Sequence, residues 1–463
     1  MRIALFVALL AFALPVAAAP ATLRVDLQHA GDATSERFAL DRVVVEPLPW
    51  AGNPDRPIDA SGRGAHRFDV VDEASGRVLY SRGYSTVFGE WRTTGEARAL
   101  QRSFQESLRF PMPAKPVVLK VYSRDAANRF VEAWSLRVDP ASPDIERAAR
   151  PAPAAPIAIR RTGDPAHKVD LLILGDGYAA NELGKFEADA RRFADHLFTV
   201  SPFRERAADF NVWALTVPVP QSGVSRPSTG TYRAGATGLR YDIFGSERYA
   251  LTLDNRAFRE LAQYAPYDVV EIVFNGATYG GGGIFGQFST VAADNDWSNY
   301  VFVHEFGHHF AGLADEYYTS PVAYAPASGP RVEPWEPNVT ADSAHPKWAT
   351  SHVPLPTPWP KAEFEAYERD VQARRAKLRA ERRPEAEMSA LFREEQAHVE
   401  AMLARSPYRR ATGAFEGANY EATGYYRPQM QCLMFTRADA FCDVCRAAIG
   451  SVIDLYTAAA PRR

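Results

Sequence analysis

The densest chemistry in this chain lies in one string, VFVHEFGHHFAGLADEYY, residues 301–318. It contains His304-Glu305-Phe306-Gly307-His308. On an α-helix, residues i and i+4 stand on one face, so His304 and His308 can meet a single metal ion. Neutral imidazole nitrogen suits zinc. Glu305 follows the first histidine and is placed to take a proton from the attacking water. An apolar lead-in, Tyr300 to Val303, can bury one face of such a helix.

Catalytic zinc keeps three protein ligands and one open position for water. Gly312 can end the helix by adopting positive φ. The chain then turns back, and Asp315 is the expected third ligand. Glu316, His309 and a glutamate on a later helix are the alternatives. His309 lies about 100° round the helix from His308, so it is expected to face elsewhere. The chemistry these residues point to is hydrolysis with Zn2+ as cofactor and Glu305 as general base.

The elements that must hold this string can be read on either side of it. Residues 169–178, VDLLILGDGY, form an apolar run ending in glycine and read as a buried strand. Residues 181–198 show helical spacing through Leu183, Phe186, Ala190, Phe193 and Leu197. FNVWALTVPV reads as a second strand, RAFRELAQYA as a helix and DVVEIVFNG as a third strand. Strands alternating with helices imply an α/β sheet core. Residues 361–405 are rich in Glu, Arg and Ala and read as a helical hairpin broken near Pro384, a solvated insertion. Tyr279 to Gly286 carries four consecutive glycines. Gly282 and Gly283 are expected on an edge strand beside the cleft, where a peptide backbone can approach and pair.

Upstream, residues 22–150 alternate apolar and polar positions between turn signals such as Asn53-Pro54 and Ser75-Gly76. This predicts an all-β sandwich with a supporting or binding role. Residues 151–156, PAPAAP, predict a stiff linker that keeps the sandwich apart from a catalytic domain at 157–463. Residues 1–21 have Arg2, then an apolar run, then small residues, which is the layout of a secretory signal peptide. The run is shorter than the roughly 20 residues a spanning helix needs, so no integral membrane span is expected. The protein is expected to be secreted or periplasmic.

Composition sets the outer limits. The chain has 463 residues, 46% hydrophobic and 24% charged, which fits a folded globular protein. A net charge of −3 argues against nucleic acid as a partner. Three cysteines are too few for a disulfide scaffold. A single disulfide from Cys432 is expected, with Cys442 or Cys445 as partner. A zinc site on Cys442-x-x-Cys445 lacks a second pair of ligands in the sequence.

The string HEFGHHFAGLADEY is similar to the metzincin pattern H-E-x-x-H-x-x-G-x-x-H or Asp, with Gly312 and Asp315 each one residue late. It more closely resembles the IgA-peptidase family, number sixty-four among the metallopeptidases. LLILGDGY, YGGGGIFGQFSTVAADN and EGANYEATGYYRPQMQCLMFTRADAFCDVC resemble that family too. The resemblance covers residues 157–463 and extends to a β-rich N-terminal domain. It implies an α/β (α+β), zincin/metzincin-like catalytic domain in a secreted bacterial zinc endopeptidase. It also implies Asp as third ligand and a protein or peptide as substrate. Similarity favours Met434 as the methionine packed beneath the histidines. Tyr426, or its neighbour Tyr425, is a candidate to stabilise the oxyanion. Two rival functions fit the same sequence: an exported binding or adhesion protein with a silent zinc site, and a zinc-dependent deacylase.

Overall fold

The computed structural model describes residues 19–148, 150–322 and 331–457. Most of the expected signal segment lies outside these residues. No helix among the described residues is long and apolar enough to cross a membrane.

The N-terminal region is all-β. Strands β1 (Ala21–Gly31), β2 (Glu36–Pro49), β3 (His66–Asp72) and β4 (Val78–Tyr84) are followed by a short helix α1 (Val87–Trp91). Then come β5 (Arg102–Pro111), β6 (Val117–Arg124) and β7 (Phe130–Val138). The strands form two sheets, ordered β2-β1-β5 and β4-β3-β6-β7, with every pairing antiparallel. Alternation sends Val117, Leu119 and Val121 of β6 inward, where they meet Leu23, Val25 and Leu108 of the other sheet.

The second region is built on a six-stranded sheet. Its strands are β8 (Ile157–Arg160), β9 (Val169–Asp176) and β10 (Phe210–Leu215), with helix α2 (Leu183–Leu197) between the last two. A two-residue pair follows, β11 (Leu239–Arg240) and β12 (Leu251–Thr252), then helix α3 (Asn255–Ala262). Strands β13 (Val269–Phe274), β14 (Gly281–Ile284) and β15 (Phe288–Ala292) lead into helix α4 (Ser298–Ala311). The order is β14-β15-β13-β9-β10-β8. The four central strands are parallel, and β14 and β8 run antiparallel at the two edges. All eight residues of β9 are buried because both faces of the sheet are covered. Leu171 and Ile173 face α2 and α4, while Leu172 and Leu174 face α3.

Helices α5 (Lys361–Ala380) and α6 (Glu385–Ala404) form the expected hairpin, with Pro384 at the start of α6. The hairpin is not simply a solvated surface. Phe364, Val399, Met402 and Leu403 join the core that surrounds α4. A β-ribbon, β16 (Phe415–Ala418) with β17 (Glu421–Arg427), and a final helix α7 (Asp443–Thr457) complete the chain.

The Pro/Ala segment does not separate two independent bodies. Phe88 and Trp91 of α1 and Phe104 of β5 lie in one core with Leu172, Leu174 and Phe258 beneath the large sheet. Arg24 of the sandwich, fully buried, pairs with Glu260 of α3 at 3.0 Å. Proline composition reports local stiffness; the docking comes from apolar side chains far along the chain. Burying each such aromatic is worth about 1.5–3 kcal/mol.

Candidate metal centre

Helix α4 carries the histidines because its sequence is apolar on several sides. Val301, Phe302, Val303, Phe306 and Phe310 are buried, so the helix is clamped between the sheet and α2 and α7. Gly307 lets Met434 approach: a Cβ at Gly307 would lie 3.2 Å from the Met434 sulfur. Met434 is fully buried there, beneath the helix turn between His304 and His308. Gly312 ends the helix with φ +63°, and its N–H donates to the His308 carbonyl at 3.0 Å. The chain then returns past the histidines.

That return brings Asp315 to them. Asp315 Oδ1 is 3.0 Å from His304 Nε2 and 3.3 Å from His308 Nε2. The two Nε2 atoms are 3.2 Å apart. His304 Nδ1 donates to the Leu433 carbonyl at 3.1 Å, and His308 Nδ1 donates to the Leu313 carbonyl at 2.6 Å. A carbonyl only accepts, so each Nδ1 holds a proton and each Nε2 can present its lone pair. Two lone pairs and a carboxylate oxygen aimed at one point call for a cation. Zinc bound by nitrogen or oxygen at about 2.0–2.1 Å in a tetrahedron sets its ligands about 3.3–3.4 Å apart. The observed separations fit that geometry closely.

The other expected candidates go elsewhere. His309 is buried and faces the sheet: its Nε2 accepts from the Val270 N–H at 3.1 Å and its Nδ1 donates to the Ile284 carbonyl. Burial pushes this ring down to about 3, so it stays neutral and ties α4 to β13 and β14. Glu316, fully buried, points away from the histidines towards Cys432, Cys442 and Cys445. The cysteines are free, so the expected disulfide is not formed.

Asp315 is itself gripped. Burial alone would raise its carboxyl, but the imidazoles outweigh this and hold it well below the usual carboxylate range. Its second oxygen accepts a hydrogen bond from the Tyr420 hydroxyl at 2.5 Å. Tyr420 sits at the tip of the β16–β17 ribbon, where Asn419 and Tyr420 both have positive φ. Their N–H groups donate to the carbonyls of Asp315 and Tyr317. The ribbon tip therefore docks along the return that carries Asp315.

Glu305 faces a cleft of about 530 Å³ whose lining also includes His308, Asp315, Tyr317 and Tyr420. Burial pushes the Glu305 carboxyl up. The glycines of β14 pack α4 against the sheet. A Cβ at Gly283 would meet the Glu305 carbonyl oxygen at 2.5 Å, and one at Gly281 would meet Val301 at 2.7 Å. Gly282 instead lies against Tyr249 and Leu251 on the opposite side. The outer backbone groups of Gly281 are taken by residues 248 and 250. Strand alternation turns those of Gly283, which lines the cleft, to the same outer side. Ser85, Glu90 and Thr93 of the N-terminal region form another wall, and the Ser85 N–H donates to the Phe285 carbonyl at 2.8 Å.

Tyr425 borders the cleft, but Tyr426 is not part of its lining; it pairs through its backbone with Thr340. Two other phenols line the cleft, Tyr420 and Tyr317, both missed by sequence reasoning. Tyr317 lies nearly parallel to the His304 ring at 6.4 Å and accepts from Arg248 Nη2 at 3.3 Å. It stands two residues after Asp315, so its proximity was available from spacing. Asn419-Tyr420 had only a weak turn signal.

Residues 157–453 match the family model described as IgA Peptidase M64. Residues 16–135 match the model described as Peptidase M64 N-terminus. A search of curated proteins gives no match.

Proposed function

Because this chain belongs to the M64 peptidase family, we propose that it is an exported zinc endopeptidase with His304, His308 and Asp315 as ligands and Glu305 as general base. Family membership makes it a peptidase and gives it a protein or peptide substrate. The observation that carries the finer reading is the convergence of two Nε2 atoms and one carboxylate oxygen within 3.3 Å, with both Nδ1 protons committed to carbonyls. The arrangement supports a zincin-like organisation of the catalytic region. The apolar segment after Arg2 supports export.

A zinc ion held by these three residues supplies Lewis acidity to water and to the substrate carbonyl. Glu305, the cleft-facing carboxylate next to the donors, takes the proton of the attacking water and returns it to the departing amine. Tyr317, kept protonated by burial, has its hydroxyl available to the carbonyl oxygen as negative charge develops there. Gly283 offers its outward amide and carbonyl to an extended peptide, as one strand adds to a sheet edge. The wall formed by Ser85, Glu90 and Thr93 then gives the N-terminal region a share in substrate binding.

The test is digestion of unfolded casein by the full-length mature protein. Cleavage should stop on removal of metal by a chelator and return with added zinc. A zinc-replete protein that cuts no peptide bond would overturn the reading and favour a binding role.

A further inference from the structure

Beneath the candidate metal centre lies a second group of donors that peptide hydrolysis does not use. Cys432 from the segment before α7, Cys442 and Cys445 at the start of α7, and Glu316 bring their donor atoms within 4.8 Å of one another. All four residues are buried. Sequence spacing offered only the Cys442-x-x-Cys445 pair; the fold supplies the other two donors from distant segments.

We propose that Cys432, Cys442, Cys445 and Glu316 bind a second, structural zinc ion that braces the floor of the active site. The distances suit it. Zinc–thiolate bonds of about 2.3 Å in a tetrahedron place sulfurs about 3.8 Å apart. Cys432 and Cys445 sulfurs are 3.8 Å apart. Cys445 Sγ is 3.4 Å from Glu316 Oε1, near the roughly 3.6 Å of a sulfur–oxygen edge in the same tetrahedron.

Two further observations point to an ion. Glu316 Oε2 is fully buried and has no hydrogen-bond partner, although Oε1 accepts from Asn338 at 2.9 Å. An orphaned carboxylate oxygen is costly unless a cation meets it. Arg427 is also fully buried beside this cluster, and its Nε and Nη2 have no partner. With neutral thiols, this guanidinium meets the Glu316 carboxylate and the faces of Trp359 and Phe435, at 4.2 and 3.7 Å. Three thiolates and a carboxylate around a divalent ion leave net negative charge for it to balance. Backbone N–H groups already point at sulfur: Cys442 to Cys432 at 3.2 Å, Cys445 to Cys442 at 3.4 Å, and Met434 to Cys432 at 3.5 Å. Such bonds favour thiolate, as does the start of α7. Four protein donors leave no open position, which marks a structural rather than a catalytic ion.

The position of the cluster gives the ion its role. Glu316 is adjacent to the ligand Asp315. Cys432 is adjacent to Leu433, whose carbonyl orients His304, and the next residue is Met434 under α4. One ion would thus fix both strands of chain that support the catalytic donors.

The test counts metal in the full-length protein purified in reductant, with any affinity tag removed. Wild type should hold two zinc ions per chain, and the His304→Ala/His308→Ala variant should hold one. X-ray absorption at the zinc edge of that double variant should show a sulfur-dominated first shell. Cys442→Ser should lose one zinc and melt earlier; if it does not fold, the double-histidine variant still carries the test. A double-histidine variant without sulfur-bound zinc, or intact mass showing a disulfide in the folded wild type, overturns the proposal. A wild type that holds both zinc ions but cuts no peptide bond would count against the catalytic reading alone.

Discussion

The hydroxyl of Tyr420 donates to Asp315 Oδ2 at 2.5 Å, while Asp315 Oδ1 faces both histidines. One carboxylate thus divides its two oxygens between the candidate metal position and a clamp. Outer partners of this kind typically change metal affinity by about 10–100-fold. Tyr420→Phe should therefore keep the fold and weaken zinc binding by about that factor, measured by competition with a chromophoric chelator. Unchanged affinity would mean that Asp315 is held well enough by its backbone.

Glu305→Gln separates binding from chemistry. The amide keeps the shape of the side chain but cannot accept the proton. Zinc content and melting temperature should stay near wild type, and turnover should fall by at least about 10²–10⁴-fold, the usual contribution of a positioned base. Retained turnover in a metal-replete sample would remove Glu305 from the mechanism.

What could be read from the sequence was local. His304 and His308 sit one helical turn apart, and Gly312 marks the turn back to Asp315, so the chain's own periodicity brings them together. Strands β9, β10 and β13 were legible because buried parallel strands are continuous apolar runs. Tyr420 was not, because it meets Asp315 from 105 residues away. Glu316 meets Cys445 across 129 residues, so no spacing rule could complete the cysteine cluster. The docking of Trp91 and Phe104 beneath the large sheet was hidden for the same reason. A proline-rich connection says nothing about the surfaces on either side of it.

Gly283 tests whether the edge strand must touch α4. A methyl group there would lie 2.5 Å from the Glu305 carbonyl oxygen and 2.9 Å from His308 Cβ. Neither neighbour is a flexible side-chain end, so strand and helix must part. Gly283→Ala should cost about 1–3 kcal/mol of stability, as overpacking does, and should lower zinc affinity as well. Gly62→Ala is the control for manipulation of glycine itself. Its Cβ meets nothing within 4 Å, although its φ of +69° carries some backbone cost. If Gly283→Ala melts and binds zinc like wild type, the close approach is not required.

Glu368 on α5 gives the protein a stability that depends on pH. It is buried in the chamber behind Glu305 and accepts from Thr319 at 3.1 Å and Gln372 at 3.2 Å. Burial, reinforced by nearby Glu395, pushes its carboxyl from 4.5 up to about 7. Between these two values the folded chain holds a proton that the unfolded chain has released. The stabilisation from this group is thus complete below pH 4.5 and is lost as pH rises through about 7. The full shift corresponds to about 3 kcal/mol at most. Glu368→Gln keeps a neutral group at every pH and should remove this slope. Urea unfolding at about pH 5 and about pH 8 should show wild type losing roughly 1–3 kcal/mol more than the variant over that interval. Equal losses would mean that Glu368 ionises normally in the folded chain and that α5 tolerates its charge.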